Sequence, residues 1–213
     1  MKTVVLLHGL RTNSMVMKYM ANNMRAAGNE VHLFSYDSSK YSDSTLESLH
    51  SLLKTLKSQS VYLIGHSMGG LVIRNYIHKY PKDVSQIKGV ITIATPHNQS
   101  ICAHTMTKSL FRKVLGTSGD SGLTKQIQEW ESEIPIGCIA GFSKSKMSAN
   151  FFIMFNSKKD ASDGTVYVDE AILSNCTDKI ILKGSHTGLL FKKDVANQCL
   201  YFLENKEFKH LCW

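Results

Sequence analysis

Val61-Tyr-Leu-Ile-Gly-His-Ser-Met-Gly-Gly70 sets a run of strand-forming residues directly against a serine flanked by glycines. β-branched and aromatic residues favour a buried strand. Behind the glycines, Leu71 to Tyr80 has the spacing of a helix that Pro81 stops. Strand, tight turn and helix in immediate succession hold a serine in a strained backbone conformation, with its hydroxyl above the sheet. Glycines at 65 and 69 remove the Cβ atoms that would clash there. The following helix aims its first N–H groups at the same spot. An ordinary turn serine needs none of this, so Ser67 reads as a nucleophile.

The surrounding sequence alternates short apolar runs with amphipathic stretches, the pattern of a parallel sheet covered by helices. Val4–Leu7, Glu30–Tyr36, Val61–Ile64, Gly89–Ala94, Ile136–Ala140 and Lys179–Leu182 read as strands. Asn13–Ala27, the stretch after Ser44, Leu71–Tyr80 and Asp194–Leu203 read as helices. Ser44 with Glu47 gives a capping-box signal, and Gly28 is placed to end the first helix. The class is therefore α/β, a mostly parallel sheet of about six strands flanked by helices. Residues 98–135 form a polar, basic excursion, read as a short lid-like insertion after the fourth strand. Phe151–Phe155 reads as a short extra strand within a second irregular stretch.

A serine hydroxyl is a weak nucleophile without a base, and the base must be oriented by a carboxylate. On this architecture the chain order is serine, acid, histidine. His186 lies in the loop Lys183-Gly-Ser-His-Thr-Gly188 beyond the last strand. Asp163, in the turn Ser162-Asp-Gly-Thr-Val166, follows the fifth strand and is the preferred acid; Asp160 is its main rival, with Asp169 and Asp178 behind. The oxyanion formed on attack needs preorganised donors, expected from the backbone N–H groups of Met68 and of Leu10 in Leu7-His-Gly-Leu10. Gly9 lets that loop approach closely, while packing at the strand end is the energetically favoured state of His8.

Leu7-His-Gly-Leu10, Gly65-His-Ser-Met-Gly-Gly70, Ala94-Thr-Pro-His97, Ser162-Asp-Gly-Thr-Val166 and Ser185-His186 occur in this order over nearly the whole chain. Together they resemble the α/β-hydrolase fold serine hydrolases of the lipase-like branch, including bacterial triacylglycerol lipases and glycosylphosphatidylinositol-deacylase relatives. The resemblance implies that Asp163 is the acid and His186 the base. It also implies that Thr95 and His97 border the substrate pocket, with His8, Gly9 and His66 beside the substrate. Two departures stand out. The family's usual first two antiparallel strands are missing, and the 98–135 excursion is shorter than many lipase lids, which argues against interfacial activation on large lipid droplets.

Composition narrows the function further. A chain of 213 residues fits one domain, residues 1–213, and 43% hydrophobic with 20% charged residues is ordinary for a globular protein. The five cysteines (Cys102, Cys138, Cys176, Cys199, Cys212) are odd in number and scattered, which suits a reducing compartment. The apolar run after Met1 is too short for a signal peptide, so a cytoplasmic location is expected. The nine histidines show no metal-ligand spacing, and no metal or cofactor is expected. A formal charge of +8 comes from dispersed lysines, not a basic cluster, so nucleic acid is not an expected partner. Lys108, Arg112 and Lys113 with nearby apolar residues suggest transient contact with a membrane surface. Gly119-Asp-Ser-Gly122 spells a trypsin-like motif, but on an α/β chain Ser121 reads as a turn residue. The expected activity is hydrolysis of a small-molecule or lipid carboxylic ester by a monomer, through an acyl-enzyme on Ser67. A thioesterase or acyltransferase using the same triad, or a silent binding protein of the same fold, are the alternatives.

Overall fold

Val4 and Leu6 enter one apolar layer while Val5 and Leu7 enter the other, so β1 (Thr3–Leu7) is buried on both faces. That is the environment of a central parallel strand, and it explains an uninterrupted apolar run where a half-exposed strand would alternate. The structure, a computed structural model, describes residues 1–58, 60–98, 130–143 and 161–210. Within them, β2 (Glu30–Phe34), β3 (Val61–His66), β4 (Ile87–Ile93), β5 (Ile136–Phe142) and β6 (Asp178–Lys183) join β1 in a six-stranded sheet of order β2-β1-β3-β4-β5-β6. Every pairing is parallel. The carboxyl ends of the strands therefore share one edge, where Leu7 pairs with Gly65 and His66 with Ile93. Ligand chemistry in open α/β sheets concentrates at that edge.

Helices cover both faces. On one side α1 (Lys18–Ala26) and α5 (Lys193–Asn205) contribute Met20, Met24, Val195, Cys199 and Phe202. On the other, α2 (Asp43–Thr55) and α3 (Met68–Lys79) contribute Leu46, Leu49, Leu53, Val72 and Tyr76. α4 (Val168–Ala171) is a single turn between β5 and β6, and short 3₁₀ turns occupy Ser14–Met17 and Gly188–Phe191. Among the described residues, no helix is long and apolar enough to cross a membrane.

Several boundaries differ from expectation for identifiable reasons. The first helical stretch opens as a 3₁₀ turn capped by the Asn13 side chain, which accepts from Met15 N–H, and Gly28 ends it with φ of +82°. The expected capping box at Ser44 is absent: α2 begins at Asp43 with Ser42 as N-cap, and the Ser44 hydroxyl meets that of Ser42 at 2.9 Å. α3 begins at Met68 and not Leu71, because the strained serine itself serves as the N-cap. Residues 99–129 of the lid-like insertion, the Phe151–Phe155 strand, Ser121 and Asp160 lie outside the described residues, as do the proposed membrane-contact residues Lys108, Arg112 and Lys113.

Candidate active site

β3 delivers the chain to the carboxyl edge, and Ser67 turns it sharply there, with φ 52° and ψ −123°. Such a conformation costs a non-glycine residue of order 1–3 kcal/mol and persists only where the surroundings enforce it. Here the Ser67 N–H donates to Ile93 O at 2.8 Å, and the Ser67 carbonyl accepts from Gly70 N–H at 3.0 Å. The flanking glycines are required by contact: a Cβ on Gly65 would stand 2.5 Å from Gly70 N, and one on Gly69 would stand 2.5 Å from Leu7 O.

The loop after β1 is built around His8. Its Nδ1–H donates to Gly9 O at 2.9 Å, and Tyr36 approaches twice, its N–H toward Nε2 at 3.4 Å and its hydroxyl to His8 O at 2.7 Å. The Tyr36 ring stacks on the imidazole with centroids 4.4 Å apart. Burial lowers the His8 pKa, so the ring is held neutral. The His8 side chain is fully buried and fixes the loop. Thr12 closes the loop by donating to Gly9 O at 2.9 Å, and Arg11, with φ of 52°, donates its N–H to Ser38 Oγ at 2.8 Å. Among the described residues neither Leu10 N–H nor Met68 N–H donates a backbone hydrogen bond.

Asp163 and His186 are brought together. His186 Nδ1–H donates to Asp163 Oδ2 at 2.7 Å, and its backbone N–H donates to Asp163 O at 3.0 Å. The other carboxylate oxygen accepts from the N–H groups of Thr165 and Val166, each at 2.8 Å. The Asp-Gly turn thus folds around its own side chain, with Gly164 at φ of +97°. Asp163 is 1% exposed, so its charge is presented almost entirely to these donors. Of the two rivals among the described residues, Asp178 opens β6 at the amino edge and accepts from Phe208 N–H and His210, and Asp169 Oδ1 accepts from Glu170 N–H.

His66 links the nucleophile turn to the histidine loop. Its Nε2–H donates to His186 O at 3.1 Å, and the two imidazoles lie 4.8 Å apart between centroids. Burial, with His186 and His8 nearby, depresses the His66 pKa to about 3. In this conformation no hydrogen bond joins the Ser67 hydroxyl to His186 among the described residues. Such contacts often tighten only around substrate.

Thr95 and His97, expected at the border of the substrate pocket, are both fully buried. His97 Nδ1 meets Arg74 Nη1 at 3.1 Å, and its Nε2 meets Thr92 Oγ1 at 3.0 Å, so the ring is anchored in the interior. Burial lowers the His97 pKa and brings the Arg74 guanidinium down to about 10. Thr95 packs on Gly70, and its hydroxyl finds no partner among the described residues. Tyr36, Thr12 and Ser38, and Gly141, where a Cβ would stand 2.7 Å from Asp163 Cβ, were not legible as contributors. Their roles depend on loops far apart in sequence, and only an Asp-Gly or Gly-x-Ser-x-Gly spacing advertises itself locally. Among the described residues no group of three or more His, Cys, Asp or Glu side chains converges as metal ligands would.

Residues 3–175 match the PGAP1-like alpha/beta domain family. No curated protein matches the chain. Among solved structures, the mature Bacillus licheniformis lipase BlEst2 superposes with a TM-score of 0.69 at 17% identity, over 96% of this chain and 91% of that one. The metagenomic carboxyl esterase MGS0156 gives 0.64 at 15% identity over 87% of this chain and 64% of its own. A bromoperoxidase from Bacillus anthracis gives 0.66 at 18% identity over 96% and 92%. At these identities the likeness is one of fold, and that fold is the α/β-hydrolase fold.

Proposed function

We propose that this chain, which belongs to the PGAP1-like alpha/beta domain family, is a serine hydrolase that cleaves carboxylic esters through an acyl-enzyme on Ser67. The observation that carries the reading is the 2.7 Å contact between His186 and a buried Asp163, at the same sheet edge as the strained Ser67. Ser67 Oγ attacks the ester carbonyl carbon while His186 Nε2 takes its proton. The oxyanion accepts from the N–H groups of Leu10 and Met68. As the tetrahedral intermediate collapses, the alcohol leaves with the proton from His186. Water, deprotonated by the same imidazole, then releases the acid. Asp163 keeps Nδ1 protonated, which leaves Nε2 free to act as the base, and stabilises the imidazolium. The substrate is a small-molecule or lipid ester, and we place the reaction in the cytoplasm, the setting that the odd, scattered cysteines favour. The lipase and esterase among the similar structures support ester chemistry.

Fluorophosphonate labelling tests this reading. The wild-type chain is expected to label, and Ser67→Ala and His186→Ala are expected not to; labelling that survives Ser67→Ala would refute the assignment. A p-nitrophenyl ester series then sets the acyl range, with short to medium chains expected to turn over fastest. A thioester series and an alcohol acceptor in the same assay separate hydrolysis of esters from thioesterase or transferase action.

A further inference from the structure

Between the loop after β1 and the loop after β6 lies the His66 ring, 2% exposed. A carbonyl can only accept, so the 3.1 Å contact with His186 O fixes the proton of His66 on Nε2. Nδ1 then carries a lone pair, and it has no partner among the described residues. This end of the ring faces the loop after β1: a Cβ on Gly9 would stand 3.0 Å from His66 Nδ1 and 3.1 Å from Ser67 Cβ. One ring therefore spans the nucleophile turn, the loop after β1 and the histidine loop, joining segments 120 residues apart. A phenyl group would fill the same space but would leave the His186 carbonyl without this donor.

We infer that His66 is a positioning residue, which holds the His186 loop against the Ser67 turn through the His186 carbonyl. The inference rests on the hydrolase reading and deepens it. His186 is tethered on two sides, by Asp163 at Nδ1 and by His66 at its backbone carbonyl, and the second tether comes from the residue preceding the nucleophile. Base and nucleophile are thereby registered through a single backbone step. The neutral ring suits this position, because a proton on Nδ1 would place a cation beside His186, just as that imidazole becomes charged during turnover, and near His8.

Michaelis parameters with p-nitrophenyl butyrate test the assignment in His66→Phe, His66→Gln and Ser67→Ala. In His66→Phe, kcat is expected to fall about ten- to a hundredfold with KM within about threefold, the signature of lost alignment. His66→Gln retains an N–H donor of similar reach and is expected to restore kcat to within about threefold of wild type. If His66→Phe does not fold, His66→Met supplies the donor-free comparison. Equal kcat values in the donor-free and Gln variants would overturn the inference, as would a lowered melting temperature with kcat and KM in place. Turnover surviving Ser67→Ala would defeat the hydrolase reading and this inference with it. Turnover abolished by Ser67→Ala but undiminished in His66→Phe would defeat the positioning role alone.

Discussion

Thr95 occupies the space that a side chain at Gly70 would need: a Cβ there would stand 2.1 Å from Thr95 Oγ1 and 2.7 Å from its Cγ2. The start of α3 and the exit of β4 are thus fitted to each other by a missing Cβ on one side and the Thr95 hydroxyl and methyl on the other. Gly70→Ala is expected to destabilise the fold by about 1–3 kcal/mol, as overpacking does. Thr95→Ala in the same chain should recover part of that loss. Urea unfolding of the two single variants and the double variant measures the coupling, and strictly additive effects would contradict this contact. Thr95→Val alone should be neutral or stabilising, because it removes a buried hydroxyl that makes no hydrogen bond among the described residues.

Asp163 orients His186 with one oxygen and its own turn with the other. In Asp163→Asn the amide oxygen can still accept from Thr165 and Val166, so folding is expected to survive. The amide nitrogen facing Nδ1 would force the wrong tautomer. Turnover is expected to drop by roughly 10⁴-fold, the scale of the corresponding change in serine proteases, with the melting temperature changed by only a few degrees. Loss of folding in this variant would make the aspartate structural first.

Gly141 is expected to matter to rate, not to affinity. A Cβ at this position would press on Asp163 Cβ at 2.7 Å and on Leu189 Cδ1 at 2.8 Å. Gly141→Ala should displace the acid and lower kcat about tenfold or more while KM holds, since displacement of about 1 Å is costly to alignment. Steady-state kinetics at constant folded fraction checks it; a change confined to KM would argue against the acid's role.

Acid should weaken the fold through histidines that burial keeps neutral. His8, His66 and His97 all have folded pKa values below the ordinary 6.5. In that window the unfolded chain binds protons that the folded chain refuses, so stability rises with pH. For His66 the stability present above pH 6.5 is lost progressively as pH falls toward about 3. The melting temperature is expected to decline from pH 7 to pH 4, less steeply in His66→Gln. Identical slopes for the two proteins would remove His66 from this account.

What the sequence made legible follows from what is local. The doubly buried strands, the glycine-flanked serine and the Asp-Gly turn each carry their physics within a few residues, and the six strands expected within the described residues all appear. Helix starts were less legible, because Ser67 and Ser42 cap through backbone geometry and not through side-chain hydrogen bonds. The burial and hydrogen bonding of His8 and His97 depend on loops far apart in sequence, and no linear pattern encodes either. The same holds for the Tyr36–His8 stack, which joins two loops only after β1 and β2 have paired.

Among the described residues β6 is an outermost strand, half of whose residues are open to solvent, and His186 hangs from its carboxyl end while Ser67 follows the doubly buried β3. Borders of a sheet open more readily than its interior. On the hydrolase reading, the proton acceptor thus hangs from a perishable border strand and the attacking group from a durable one. Warming should silence turnover before the core melts, and cooling should bring it back without any need to refold.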